Sequence, residues 1–272
     1  MSFADKVFID TCKDILQNGT WDTDCDVRPR WEDGTPAHTI KKFGVVNRKE
    51  FPILTLRKTF IKSAIDELLW IWQKKSNNIH DLSSHVWDSW ADENGSIGKA
   101  YGYQLGVKHH YKEGDMDQVD RVLYDLKHNP ASRRILTNIY VHQDLSEMAL
   151  YPCAYSMTFN VTGKKLNAIL NQRSQDMLAA NIWNVCQYSA LVCMFAQVSG
   201  LEPGEFVHVI ADAHIYDRHV PIVKELIERE PYDAPEFIMD KSIDDFYKFT
   251  KDSFSLKNYR YHEFTTKIPV AV

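Results

Sequence analysis

The chain has 272 residues and a formal net charge of -5, with 44% hydrophobic and 25% charged residues. Those values fit a folded chain with a sizeable core and exclude a largely disordered one. No uncharged apolar run reaches the span of a bilayer helix, and no basic surplus marks a bulk nucleic-acid partner; a small anionic ligand needs only a few well-placed arginines.

The opening segment, MSFADKVFID, carries acids and lacks a long apolar stretch, so it does not read as a secretory signal, and a cytoplasmic protein is expected. The cysteines, Cys12, Cys25, Cys153, Cys186 and Cys193, are odd in number and scattered, which predicts reduced thiols and no zinc-type site. Residues 25–47 are polar and turn-rich, with Pro29, Asp33-Gly34 and Pro36, and predict a long loop followed by a short strand. Over 60–73, Ile61, Ala64, Ile65, Leu68, Leu69 and Trp72 recur at helical spacing. Residues 80–105, rich in Trp, Gly and Asp, predict short helices and loops. Val119, Val122, Leu123 and Leu126 mark another helix, stopped by Asn129-Pro130.

The period then changes. Tyr155, Met157, Phe159 and Val161 alternate with polar residues, Gly163-Lys164 supplies a turn, and Leu166, Ala168 and Leu170 alternate again. This is the signal of an antiparallel hairpin. Further strands are expected over 134–140 and 206–210. The strongest helix covers 185–199, with Asn184 as its N-cap and Gly200 as its stop; a second amphipathic helix covers 220–230. No linker or repeat divides the chain. The order of elements predicts an α+β fold, a mixed or antiparallel sheet with helices around it.

Several residues in this frame can carry chemistry. Cys153 follows Pro152 and directly precedes the hairpin. A thiol there is reactive if a cation lowers its pKa, yet a lone cysteine is more often a small buried hydrophobe. Cys186 and Cys193, two turns apart on one helix, read as core. Arg133-Arg134 and Arg173-Ser174 sit beside strand patterns and are candidate anion sites, because guanidinium forks match phosphate oxygens; surface salt bridges are the ordinary alternative. Glu67 lies inside an apolar helical stretch, either on its wet edge or in a pocket where burial would suit it to acid–base work. Asp66 reads as its solvated neighbour. The spacings of His208, His214 and His219 do not put two on one helix face, so no metal is expected. His214 can hydrogen-bond beside Tyr216. Trp70 and Trp72 read as core, Trp87 and Trp90 as pocket walls. Together these features fit an enzyme or binding protein for a phosphorylated planar ligand.

Read in order, longer segments say more. They are FPILTLRK from Phe51, DELLW around Glu67, WDSWADENGSIGKAYG from Trp87, PASRR ending at Arg134, MALYPCAY around Cys153 and QRSQD from Gln172. NIWNV around Asn184, DAHIY ending at Tyr216 and the terminal IPVAV complete the set. This ordered set resembles the thymidylate synthase family. DGTPAHT and ELLWIWQ look closest to ThyA-type enzymes of Firmicutes and their phages. The resemblance implies a single domain over 1–272, monofunctional because no dihydrofolate reductase segment is fused to it.

The resemblance further implies reductive methylation of dUMP to dTMP, with 5,10-methylenetetrahydrofolate giving carbon and hydride, and no metal. Cys153 would attack C6 of the uracil. Arg173 would bind phosphate and favour the thiolate. Glu67 would organise water and proton transfers, with Tyr101 near the C5 proton step. Asn184 would read the uracil edge, where cytosine-acting relatives carry aspartate. His214 and Tyr216 would hold the deoxyribose hydroxyl. Arg173, Ser174 and Arg28 would hold the phosphate, with Arg30 as an alternative to Arg28, and Gln175 and Asp176 would also contact dUMP. Arg133 and Arg134 would be donated by the other subunit of a homodimer joined through its sheets. Phe60, Trp87, Trp90, Leu150, Asp176 and Ala271 would wall the folate, under a closing tail that ends Val270-Ala271-Val272.

Some positions depart from the family pattern. Gln175 stands for a Cys, Ala180 for a Gly and Trp183 for a Phe. Ile210-Ala211 replaces Gly-Gly, Phe60 a His, and Ala154 a His after the nucleophile. These changes keep a pyrimidine hydroxymethylase on the same fold as the alternative, in which water rather than hydride finishes the reaction.

Overall fold

A computed structural model describes residues 2–49 and 52–272; Phe51, which opens the FPILTLRK segment, lies outside them. Helix α1 (Phe3–Asn18) begins at Ser2, whose hydroxyl caps it by accepting the Asp5 N–H. Buried Asp5 accepts from the N–H and hydroxyl of Thr55 and ties α1 to the segment that leads into the next helix. Strands β1 (Thr20–Trp21) and β2 (Thr39–Lys49) follow. Helix α2 (Ile61–Trp72) buries Ile65, Leu68, Leu69, Trp70 and Trp72 together with Glu67. Short turns of helix over 79–81 and 88–90 lead to α3 (Gly102–Gly106) and a small hairpin, β3 (His109–Tyr111) with β4 (Gly114–Met116).

Helix α4 (Gln118–His128) is capped by Asp117. Strands β5 (Leu136–Asn138), β6 (Ala154–Thr162), β7 (Lys165–Gln172) and β8 (Gln175–Asp176) precede the long helix α5 (Asn181–Val198). Strand β9 (Glu202–Tyr216), helix α6 (Val220–Ile227) and a hairpin of β10 (Glu236–Met239) and β11 (Phe254–Lys257) complete the order.

The main sheet runs β1-β2-β9-β7-β6-β5, with β8 beside β9. β7 and β8 lie parallel to β9, and the other neighbours are antiparallel. The sheet is therefore mixed, with helices around it, as the pattern predicts. α5 is the crossover between parallel strands and is apolar nearly all round, as a helix buried on every side must be. Its Phe195 packs edge-on against Trp72 at 6.0 Å and Phe159 at 5.3 Å, in the core shared by α2, α5 and the inner sheet face.

Three strands differ in extent from the sequence reading, and two helices do as well: α5 starts at Asn181 rather than 185 and α6 ends at Ile227 rather than 230. β2 is long rather than short, because it pairs with β9 from Thr39 to Lys49 although its own alternation is broken by lysines and Gly44. β9 extends well beyond 206–210 for the same reason, having neighbours on both sides. β5 is shorter than 134–140; single bonds from Ile139 N–H to Tyr155 O and from Phe159 N–H to Ile135 O prolong its edge. Along β9, Phe206, His208 and Ile210 point into the core, then Ala213 and Ile215 do. The slip lies at Ala211, opposite Gly44, whose φ of +75° is a backbone state glycine adopts freely. Ile210, one of the departures from the family pattern, is fully buried beneath α1 and α6.

The outer sheet face is open. Phe43 is 88% exposed, Val46 56% and Leu136 51%. Ile169, also exposed, pairs with Thr158 on one side and Val207 on the other, and Leu136 lies beyond Thr158, so Leu136, Ile169 and Val207 share one row across the strands; Phe43 and Val46 lie outside that row.

Candidate active site

The β6–β7 hairpin sets the two ends of its strands side by side, and this joins Cys153 to Arg173. The Arg173 N–H donates to Cys153 O at 2.9 Å. Its guanidinium donates to Pro152 O at 3.0 Å and to Tyr151 O at 2.6 Å, and Nη2 lies 3.8 Å from Cys153 Sγ. The loop carbonyls thus pin the cation against the thiol. Burial pushes the Cys153 thiol above its ordinary range; the charges of Arg173 and Arg28 and the Tyr101 hydroxyl pull it back. Arg28 lies on the loop before β2, close enough for its charge to act on Cys153 and on Tyr216. Arg30 instead exchanges backbone hydrogen bonds with Val272.

Tyr101 Oη accepts the Cys153 N–H at 3.2 Å. The residue has φ of +46°, an uncommon state for a side-chain-bearing residue that costs about 1–3 kcal/mol. The next residue, Gly102, passes so close to Ser76 that a Cβ would meet its carbonyl at 2.3 Å, so the chain here admits only glycine. Burial raises the phenol well above its ordinary pKa.

Glu67 is buried, so the pocket reading holds rather than the wet edge. Asp66 is half-buried and accepts the Ser83 N–H at 2.8 Å. Glu67 Oε1 accepts the Trp87 indole N–H at 2.7 Å; Oε2 accepts the Gln187 amide at 2.8 Å and the Trp183 indole N–H. Burial raises the carboxyl pKa and these donors oppose it. Trp87 is itself buried and packs edge-on against Trp90 at 5.7 Å and Tyr101 at 5.0 Å.

From Glu67 a chain of amides crosses the pocket floor. Gln187 Oε1 accepts from Asn184 Nδ2 at 3.2 Å. Asn184 Oδ1 accepts from Gln172 Nε2 at 3.1 Å and Gln175 Nε2 at 3.4 Å, and Gln172 Oε1 faces His208 Nε2 at 2.8 Å. A carboxylate can only accept, so each amide in the chain has one allowed orientation. Asn184 is not the helix N-cap. α5 starts earlier, at Asn181, with Ala180 at the N-cap and no side-chain cap, and Asp176 Oδ1 accepts the N–H groups of Leu178 and Ala179 in the turn before it.

Asp176 pairs in register with His214 across β8 and β9. Burial favours its neutral form, but His219, His214 and the Ala179 N–H win and hold its pKa low. His214 Nδ1 lies 2.7 Å from Asp212, and its ring meets Tyr216 at 5.1 Å. The tail returns to this edge: Val272 bonds to Arg30, and Pro269 O lies 2.8 Å from His219 Nε2, which brings Ala271 to the site. Leu150 is half-buried against the core, and Phe60 is exposed beneath the Lys58 ammonium. Ser174 O accepts from Gln172. Arg133 and Arg134 are exposed ahead of β5, away from this cluster. No group of three or more metal-ligating side chains occurs among the described residues.

A family model described as thymidylate synthase matches residues 6–272. The chain belongs to the thymidylate synthase family. It is 45% identical over 269 residues to the thymidylate synthase of Bacillus subtilis subsp. natto, covering 96% of each chain. It is 46% identical to thymidylate synthase 1 of Bacillus subtilis (strain 168), again over 96% of each. The thymidylate synthase of Bacillus phage phi3T is 45% identical over the same share of each chain. Among solved structures, the thermostable thymidylate synthase A from Bacillus subtilis aligns over 100% of both chains with a TM-score of 0.95 and 44% identity.

Against the thymidylate synthase pattern, the departures separate. Ala154 pairs with Gln172 where the hairpin register shifts, and Trp183 reaches Glu67. Sequence reading missed Arg57, Gln172, Gln187 and His219. Arg57 is half-buried, donates to Leu178 O at 2.7 Å and feels Asp176; desolvation lowers its pKa to about 10. Its place in FPILTLRK was the available signal. Gln187 lies one turn beyond Trp183 on α5, a spacing that could have paired the two.

Proposed function

We propose that the chain catalyses reductive methylation of dUMP to dTMP as a single domain over 1–272, working in the cytoplasm. The observation that carries this reading is the Cys153 thiol beside the pinned Arg173 guanidinium, set in one pocket with Glu67 and Asn184. Cys153 is the nucleophile for uracil C6, forming a covalent bond that makes C5 nucleophilic. Phosphate held by Arg173, Arg28 and Ser174 places C6 over the sulfur. Asn184 donates its second Nδ2–H to the uracil edge, and its Oδ1 takes the ring N–H in place of the long bond from Gln175. His214 and Tyr216 take the deoxyribose hydroxyl. Tyr101 and Glu67 handle protons near C5 and the carbonyl oxygen.

Bound methylenetetrahydrofolate supplies the one-carbon unit and the hydride. The residues present fit it: Asp176 offers an ionised acceptor, Trp87, Trp90, Leu150 and Phe60 offer apolar walls, and Ala271 arrives with the tail. Two buried polar atoms at the ends of the β8–α5 connection, Gln175 Oε1 and Asn181 Nδ2, have no partner among the described residues. A ligand that meets them relieves a cost of about 1–3 kcal/mol per group. Exclusion of water by these walls leaves hydride from the folate, rather than water, to add to the one-carbon group on C5, and the relatives named above are thymidylate synthases, so the hydroxymethylase alternative is not favoured.

The open apolar row on the outer sheet face fits a homodimer, since a patch of this kind marks an interface. In that dimer Arg133 and Arg134 reach the partner's phosphate site.

The test is the ultraviolet absorbance rise of dihydrofolate when the chain meets dUMP and methylenetetrahydrofolate. A rise that needs dUMP and is lost in Cys153→Ala supports the reading. A hydroxymethylated nucleotide without the rise would replace it with the alternative.

A further inference from the structure

Glu67 is held from more sides than its proposed task requires. An ionised carboxylate has about four acceptor sites, two on each oxygen. Gln187 and Trp183 both donate to Oε2, and Trp87 donates to Oε1. Oε2 is therefore filled and Oε1 keeps one site. Trp183 and Gln187 converge on one oxygen because they are four residues apart on α5, on the face that packs against α2. Trp87, which shares Oε1, packs edge-on against Tyr101, the residue that receives the Cys153 N–H.

We infer that Trp183 is a positioning residue for Glu67: its indole N–H closes Oε2, so that protons reach and leave the carboxylate through Oε1, on the Trp87 and Tyr101 side. The inference rests on the functional reading above and deepens it. An indole N–H can only donate, so Trp183 cannot itself accept a proton from the carboxyl. It favours the ionised form in a buried site where that form is otherwise disfavoured. A phenylalanine, which stands here in the family pattern, keeps the ring and loses the donor.

Other groups that face Glu67 are few. Asp66, on the same helix, pushes its pKa up; the Tyr101 and Tyr188 phenols are neutral at the pH of the reaction, since burial raises both. Gln187, Trp87 and Trp183 carry no charge. The donor count is thus the main opposition to burial.

The experiment compares wild type with Trp183→Phe, using dihydrofolate release at saturating dUMP and methylenetetrahydrofolate across pH. Removing a donor makes the carboxylate protonate at higher pH, so the acid limb of kcat moves up. At neutral pH kcat falls by roughly tenfold, a fraction of the ~10²–10⁴-fold a proton-transfer group contributes, because Glu67 itself remains. KM for dUMP is unchanged, and calorimetric dUMP binding shows that the variant site is folded. An unmoved acid limb in a dUMP-binding variant overturns the inference alone. So does a loss uniform in pH with a raised KM for the folate, which would make Trp183 only a wall. A wild type that releases no dihydrofolate sinks the functional reading and this inference with it.

Discussion

His219 Nε2 lies 2.8 Å from the carbonyl oxygen of Pro269. A carbonyl only accepts, so Nε2 carries the hydrogen, and Nδ1 faces Asp176 at 3.5 Å. The imidazole therefore spans the proposed folate carboxylate and the tail. Burial lowers the pKa of His219, but Asp176, the Pro269 carbonyl and Asp217 outweigh it and raise it above the ordinary value; the rings of Trp31 and Tyr216 complete its surroundings. A raised histidine pKa gives a contribution fully present below the unfolded value and lost as pH rises through the folded one. Tail closure is thus expected to weaken toward alkaline pH. His219→Ala should raise KM for methylenetetrahydrofolate by roughly tenfold or more, the loss expected of a hydrogen bond to a charged group. KM measured against pH should climb on the alkaline side in wild type and stay flatter in the variant.

The Arg173 fork is held by Pro152 and Tyr151 before any phosphate arrives. Lysine keeps the charge but cannot make both contacts. Arg173→Lys is expected to raise KM for dUMP and slow alkylation of Cys153 by iodoacetamide. Because burial raises the thiol pKa, wild-type alkylation should keep accelerating beyond the ordinary thiol range. An alkylation rate equal in the two proteins at every pH would remove Arg173 from thiol activation.

Fold and site were legible to different depths. The hairpin around Gly163 follows from period alone, because it buries one face, and helix α2 from its apolar spacing, although its last turns are buried all round. β2 did not, since its long pairing with β9 is decided by the neighbour rather than by its own lysine-rich sequence. Cys153 and Arg173 were visible as candidates, but their meeting depends on hairpin register. Gln172, Gln187 and His219 look like ordinary polar residues in sequence; they become functional candidates only because tertiary packing buries them facing Asn184, Glu67 and Asp176. Asn184 was misplaced as a cap because α5 begins earlier, at Asn181, with no side-chain cap to mark its start.

Asn184 has its orientation set by the amide chain, with Oδ1 receiving from Gln172 and Gln175. Nδ2 spends one hydrogen on Gln187 and keeps the other to donate to uracil, while the long 3.4 Å bond from Gln175 is the one a uracil N–H would displace at Oδ1. Asn184→Asp replaces the donor with an acceptor, which leaves the uracil O4 unpaired and suits the amino group of cytosine. Turnover of dUMP is expected to fall by at least about 10²-fold, since a buried polar mismatch is costly, while dCMP gains measurable methylation. Paired kcat/KM values for the two nucleotides check this; an unchanged ratio would take Asn184 out of base recognition.

Arg133 and Arg134 give the dimer proposal its sharpest test, because they are exposed and distant from their own Cys153. If each arginine pair serves the partner's phosphate, a Cys153→Ala chain can lend its arginines to an Arg134→Ala chain. Either variant alone should be weak or inactive. After mixing, unfolding and refolding together, heterodimers would hold one site with both an intact thiol and intact arginines, and activity should return to about a quarter of the wild-type sites under random pairing. Ile169→Lys, which places a charge in the open apolar row, should shift the protein toward monomer in sedimentation and lower activity as concentration falls. Full activity in a dilute monomer would show that each chain completes its own phosphate site, and the arginines would then belong to the surface.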